Sequence, residues 1–267
     1  MNQESAQGFH EEGDASNEAV ILSNLGDMLR VHGELRSAQQ YIEQAIAIDQ
    51  KTGHKRGLGF SLFFMADMLR AQDRLAEARN TAERDIALRK ELGDEALLPE
   101  SQMQLSRIAI EQGKAPEAES LARIAAASFD HQNIADLGAQ SYADLAQALL
   151  AQGKTQEAQV CADHAAVLSQ QVTDLPTHFE AALAAAAVKA ELGKITEATK
   201  ILNKLRDEAN RHGYVIYEME ARLRLGELEL GADKADAARA RLKQLEKDAR
   251  SKGYLLIARK AASALGS

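Results

Sequence analysis

Tryptophan is missing from this chain of 267 residues, cysteine occurs once, proline three times, and aromatic residues make up only 4%. A single cysteine excludes an internal disulfide framework and a thiolate metal cluster. Cys161, between Val160 and Ala162, reads as small apolar filler in a helix. Few aromatics beside 45% apolar residues describe a core built from Ala, Leu and Ile at helix seams. No stretch approaches the roughly 20 apolar residues that span a bilayer. The start lacks a basic-then-apolar leader, so the expectation is a soluble, cytoplasmic chain with no membrane partner.

Excess positive charge is lacking too. Lys and Arg number 32 against 40 Asp and Glu, a net charge of −8. A phosphate-backbone binder normally carries a basic stripe, so nucleic acid is excluded as the expected partner. The seven histidines, His10, His32, His54, His131, His164, His178 and His212, do not fall at the i, i+4 or short-loop spacings that gather metal ligands. Neither a phosphate-cradling glycine loop nor a nucleophile elbow occurs, and no strand signal offers a place for one. The expectation is therefore no enzyme, no metal and no cofactor.

What is present is a period of forty. From Gly153, steps of forty reach Gly33, Asp73, Gly113, Gly193 and Asp233, all residues that tolerate the left-handed backbone of a tight turn. From Ala158 they reach Ala38, Ala78, Ala118, Ala198 and Ala238. Eight residues before each turn stand Leu25, Met65, Leu105, Leu145, Ala185 and Leu225, each followed by Gly26, Ala66, Ser106, Ala146, Ala186 or Gly226. Large then small, six times over, predicts two antiparallel helices pressed close in every unit.

These residues resemble the tetratricopeptide repeat, with its Leu-Gly pair, mid-unit Gly and Ala opening the second helix. The resemblance covers roughly residues 17 to 265. It departs in lacking the proline after the second helix and in a unit of forty rather than about 34 residues, as in longer-unit arrays of bacterial regulators and scaffolds. It implies an all-α, right-handed superhelix (solenoid) of six antiparallel helix pairs plus a C-terminal capping helix. Residues 1–17 are an N-terminal segment, residues 18–251 the six repeats, and residues 252–267 the cap.

Gly13, Gly53 and Gly93 share one repeat position, so the first residues read as the last turn of a preceding unit. By contrast Tyr254, Leu256 and Ile257 start an unpaired helix whose polar side, Arg259, Lys260 and Ser263, is expected to cover the open end of the last pair. Between units four and five Thr173 stands where the glycines stood. There Asp174 or Thr177 caps the next helix, and altered curvature is expected.

In tetratricopeptide arrays the first helices line the concave surface, which makes their polar residues the candidate groove. Asp27 and Arg30, then Asp67 and Arg70, are i, i+3 pairs on one face. As surface ion pairs they are worth at most about 1 kcal/mol. Gln104, Arg107, Asp144 and Gln147 follow in units three and four. Phe60, Phe63 and Phe64 cluster at the start of unit two, with Phe63 or Phe64 the candidate anchor and core filling the alternative. Ala181 to Val188 is apolar on every face, either buried all round or the floor of a narrow groove. The functional expectation is a protein- or peptide-binding module, the sensor or adaptor region of a larger bacterial signalling or transcription regulator. The alternative is an assembly part that self-associates or docks on a sister domain.

Overall fold

A computed structural model describes residues 15–230 and 235–266. The preceding-unit turn read at Gly13 and the sixth turn at Asp233 lie outside the described residues. Among those described there are thirteen α-helices: α1 Ala15–Val31, α2 Leu35–Thr52, α3 Lys55–Ala71, α4 Leu75–Leu92, α5 Leu98–Glu111, α6 Ala115–Gln132, α7 Ala135–Leu150, α8 Thr155–Ser169, α9 Leu175–Glu191, α10 Ile195–His212, α11 Val215–Leu230, α12 Ala235–Lys252 and α13 Leu255–Gly266. They form six antiparallel pairs and a thirteenth, unpaired helix. A single 3₁₀ turn at Glu95–Leu97 leads into α5.

Turn chemistry follows the period. Gly33, Asp73, Gly113, Gly153 and Gly193 all have positive φ, Asp73 at 60°, which is why the position accepts only residues at ease in the left-handed region. The second helices α2, α4 and α10 close on Gly53, Gly93 and Gly213, α6 on Asn133. At the irregular junction the Asp174 carboxylate accepts from the Thr177 N–H at 2.9 Å and from its hydroxyl at 2.8 Å, so Asp174 is the cap. All three prolines, Pro99, Pro116 and Pro176, sit in first helical turns, where the missing donor costs least.

The six repeat alanines are fully buried, at 0% exposure. Where the small partner is glycine, the approach is tighter still. A Cβ added to Gly26 would stand 2.5 Å from Ile42 Cγ1, and one on Gly226 2.5 Å from Leu242 Cδ2. The seam thus has no room for growth. Ala158→Leu is expected to cost roughly 1–3 kcal/mol through overpacking. Glu157→Gln, at a side chain 59% exposed, should leave the denaturation midpoint nearly unchanged. Equal midpoints for the two variants would contradict the register.

Successive pairs turn the array back on itself. Helix α11 meets α1, and α13 meets both α11 and α3. Leu35 and Ile42 of α2, Met68 of α3, Met219 of α11, and Tyr254 and Ile257 at the last helix join one buried cluster. Polar contacts lock the join: His32 Nδ1 lies 2.8 Å from the Gly213 carbonyl, and the Tyr254 hydroxyl donates to the Arg30 carbonyl. Here the sequence expectation needs correction. The polar side of the last helix does not simply solvate an open end, because Arg259 pairs with Asp73 at 2.7 Å and Lys260 with Glu111 at 2.5 Å. The accumulated rotation of six pairs carries α13 across to units two and three, and its cations meet their acids.

Candidate binding cleft

The odd-numbered helices α1 to α11 form the inner wall, and their side chains converge on a cleft of about 90 Å³. Arg30, Arg70, Arg107, Arg224 and Lys260 enter it, opposed by Glu111, Asp144, Glu180 and Glu220. Apolar surface comes from Ile110, Leu183, Ala187 and Ile216. The apolar run Ala181 to Val188 in α9 is not buried all round, and one side of it floors the groove. Ala181, Ala184, Ala186 and Val188 are buried, while Leu183 and Ala187 floor the cleft.

The charges are arranged as a ladder. Arg30 donates to Asp27 at 2.6 Å and Arg70 to Asp67 at 3.3 Å, within their own helices. Arg107 reaches across units to Asp144 at 2.7 Å and to Gln140 at 3.3 Å. Tyr217 donates to Glu180 at 3.2 Å. These are not solvated surface pairs, since Arg30, Asp67 and Asp144 are buried. Burial pushes the Asp67 carboxyl up, but the guanidiniums of Arg30, Arg70 and Arg107 outweigh it and hold the group below the usual carboxylate range. Asp144 goes the other way: burial, aided by Glu180, pushes it up to about 7 against the pull of Arg107. Burial also lifts the Tyr217 phenol well above its ordinary value, so it stays a neutral donor.

The remaining candidates divide. Gln147 lines the cleft. Gln104 is buried behind it and donates to the Phe63 carbonyl at 2.6 Å, leaving its Oε1 without a hydrogen-bond partner among the described residues. Phe64 packs into the cluster that joins the two ends, edge-on to Phe60 and Phe63 at 4.8 and 5.5 Å between centroids. Phe63 is half-buried, with the Arg89 guanidinium 5.9 Å over its ring.

Near the start of α3 lies a second, apolar pocket of about 340 Å³, built by α1, α3 and α5 together with α4 and sharing no lining residue with the cleft. Stepping by forty from Val20 gives Phe60, Glu100, Gln140, Glu180 and Glu220. Val20, Phe60 and Glu100 line this pocket, and Glu180 and Glu220 the polar cleft. That series is visible in the sequence as one register position of the first helices. Beneath the pocket are two buried acids unforeseen from the sequence. Asp49 accepts from Ser61 at 2.8 Å, and Asp85 from Ser101 at 2.5 Å and Arg89 at 2.8 Å. Among the described residues no group of three His, Cys, Asp or Glu is placed to hold a metal, and no helix is long and apolar enough to cross a membrane.

Paired helices in a closed superhelical array, lined within by the first helix of each pair, define a tetratricopeptide-repeat protein. More narrowly, the chain belongs to the family of MalT-like TPR regions, whose model matches residues 2–257. No curated protein matches it. Among solved structures it is similar to the Rap conjugation gene regulator of the plasmid pLS20 in complex with the Phr* peptide (13% identity, TM-score 0.66, 97% of this chain and 75% of that one). It is also similar to BtubC from P. vanneervenii (19%, 0.59, 79% and 88%). A third likeness is to the STAND ATPase of Pyrococcus horikoshii with a tetratricopeptide repeat sensor (15%, 0.54, 89% and 37%). At these identities the likeness is one of fold.

Proposed function

We propose that this chain is a non-catalytic binding module that holds a peptide or protein segment against its inner wall, as the sensor or adaptor region of a larger bacterial signalling or transcription regulator. One observation carries the reading: charged side chains from successive inner helices converge on one cleft. Replacing buried ion pairs with well-packed apolar residues is often neutral or stabilising, so stability alone does not account for Asp67, Arg107 and Asp144. Their use is recognition. The family and the likeness to a regulator solved with a peptide support the same reading. With a net charge of −8 and cleft charges of both signs, the partner is a mixed-charge polypeptide rather than nucleic acid or a membrane.

At about 90 Å³ the cleft has the volume of roughly three liquid waters. A segment therefore enters side chain first, or as the Arg259–Asp73 and Lys260–Glu111 contacts part. The test is selection from a phage-displayed heptapeptide library on the immobilised full chain. Arg70→Ala and Phe63→Ala are each expected to weaken the selected peptides by about 2 kcal/mol or more, at unchanged helical content by circular dichroism. Glu83→Ala, on the outer face and 52% exposed, should not. Failure to select any peptide, or loss of binding only with outer-face substitutions, would sink the reading.

A further inference from the structure

The apolar pocket differs from the polar cleft in one respect that bears on recognition. Its volume of about 340 Å³ falls within the range of roughly 300–1,000 Å³ of sites for small ligands. Phe60, Leu88, Leu92 and Leu97 give it an apolar lining. Charged groups at its rim are mostly satisfied by one another: Arg56 pairs with Asp94 at 2.5 Å, and Arg89 with Asp85 at 2.8 Å while also donating to the Leu97 carbonyl at 3.2 Å.

Glu100 is the exception. It is half-buried in the pocket wall, and its carboxylate makes no hydrogen bond or ion pair with any described residue. Burial pushes its carboxyl up, Asp85 and Asp136 add to that push, and Arg89 only partly opposes it. Its place in the first turn of α5 lets the helix dipole tolerate the charge without supplying a hydrogen-bond donor. A carboxylate held half-desolvated beside apolar surface attracts a cation that arrives attached to an apolar group.

We propose that this pocket is the specificity subsite of the inner wall, taking a bulky apolar side chain adjoined by a positive charge, such as a Leu-Lys or Phe-Arg pair in a peptide. The apolar group fills the space between Phe60, Leu88 and Leu97, and the ammonium or guanidinium donates to Glu100. The assignment rests on the peptide reading above and adds to it the sequence preference of the bound segment.

Peptides from the same library provide the test. Those selected on the native chain should be enriched in apolar–basic pairs. Changing the Lys or Arg of a selected peptide to norleucine should weaken it about tenfold on the native chain and hardly at all on Glu100→Gln. Leu92→Trp, which fills the mouth from a partly exposed position, should abolish binding at unchanged helical content. Equal weakening by norleucine on native and Glu100→Gln protein, or selected peptides without such a pair, or indifference to Leu92→Trp, would overturn the subsite and leave the peptide reading standing. A library that yields no binder removes both.

Discussion

Tyr254→Ala is expected to cost about 3–5 kcal/mol, the range for removing a large buried aromatic, and to register at both ends of the chain. Tyr254 is 1% exposed, belongs to the cluster that joins α2, α3, α11 and α13, and donates its hydroxyl to the Arg30 carbonyl. Truncation opens a cavity where the last helix packs on the first pair. Tyr254→Phe keeps the ring and loses only the hydrogen bond, a change of about 1 kcal/mol. Denaturation midpoints rank the two variants, and small-angle scattering reads the ring, which should expand in the Ala variant alone. A midpoint for Tyr254→Ala equal to that of the native chain would show that α13 does not hold the ring shut.

Arg89→Met is expected to be of similar size, about 3–5 kcal/mol, because removing one partner leaves a buried charge uncompensated. The side chains of Arg89 and Asp85 are 4% and 0% exposed. Burial already raises the Asp85 carboxyl above its ordinary value, with Arg89 and Ser101 pulling it back down. Without Arg89 the group rises further above its unfolded value of about 3.9. Between those two values the folded state holds a proton that the unfolded state has released, so stability falls as pH rises through that window. Above the folded value the whole penalty is present. The deficit of Arg89→Met relative to the native chain should accordingly be largest at alkaline pH and shrink on acidification, as Asp85 takes up its proton. A deficit independent of pH would mean that the carboxylate finds another cation.

What the sequence revealed, and what it did not, follows from how far apart the deciding residues lie. The turn at Gly153 and the seam at Ala158 are local, and each repeats six times, so one reading is checked five times over. The Asp27–Arg30 and Asp67–Arg70 pairs sit within single helices and could be seen from spacing alone. Arg107 and Asp144 were both candidates, but their pairing spans two units and depends on how neighbouring first helices align. Closure of the ring is harder still. It is the sum of many small rotations, each spread over a helix interface, and neither Arg259 nor Asp73 carries a sign of the other. Nothing in the sequence singles out Glu100, because an acidic residue in a first helical turn is ordinary. Its significance comes from the pocket made by Leu88 and Leu97 around it.

The join between α1 and the last helices also has a dimension in time. The Arg30 carbonyl and the Tyr254 hydroxyl are separated by 224 residues, which at ribosomal rates of about 5–20 residues per second means an interval of roughly ten to forty-five seconds. Each early unit can meanwhile pack against its neighbour, but the surface of Leu35 and Met68 that later receives α13 stays bare. On a polysome that surface and the last helix of a neighbouring chain are complementary. Exchange of α13 between copies is thus the misassembly to which this architecture is prone, and rapid closure within one chain is what opposes it.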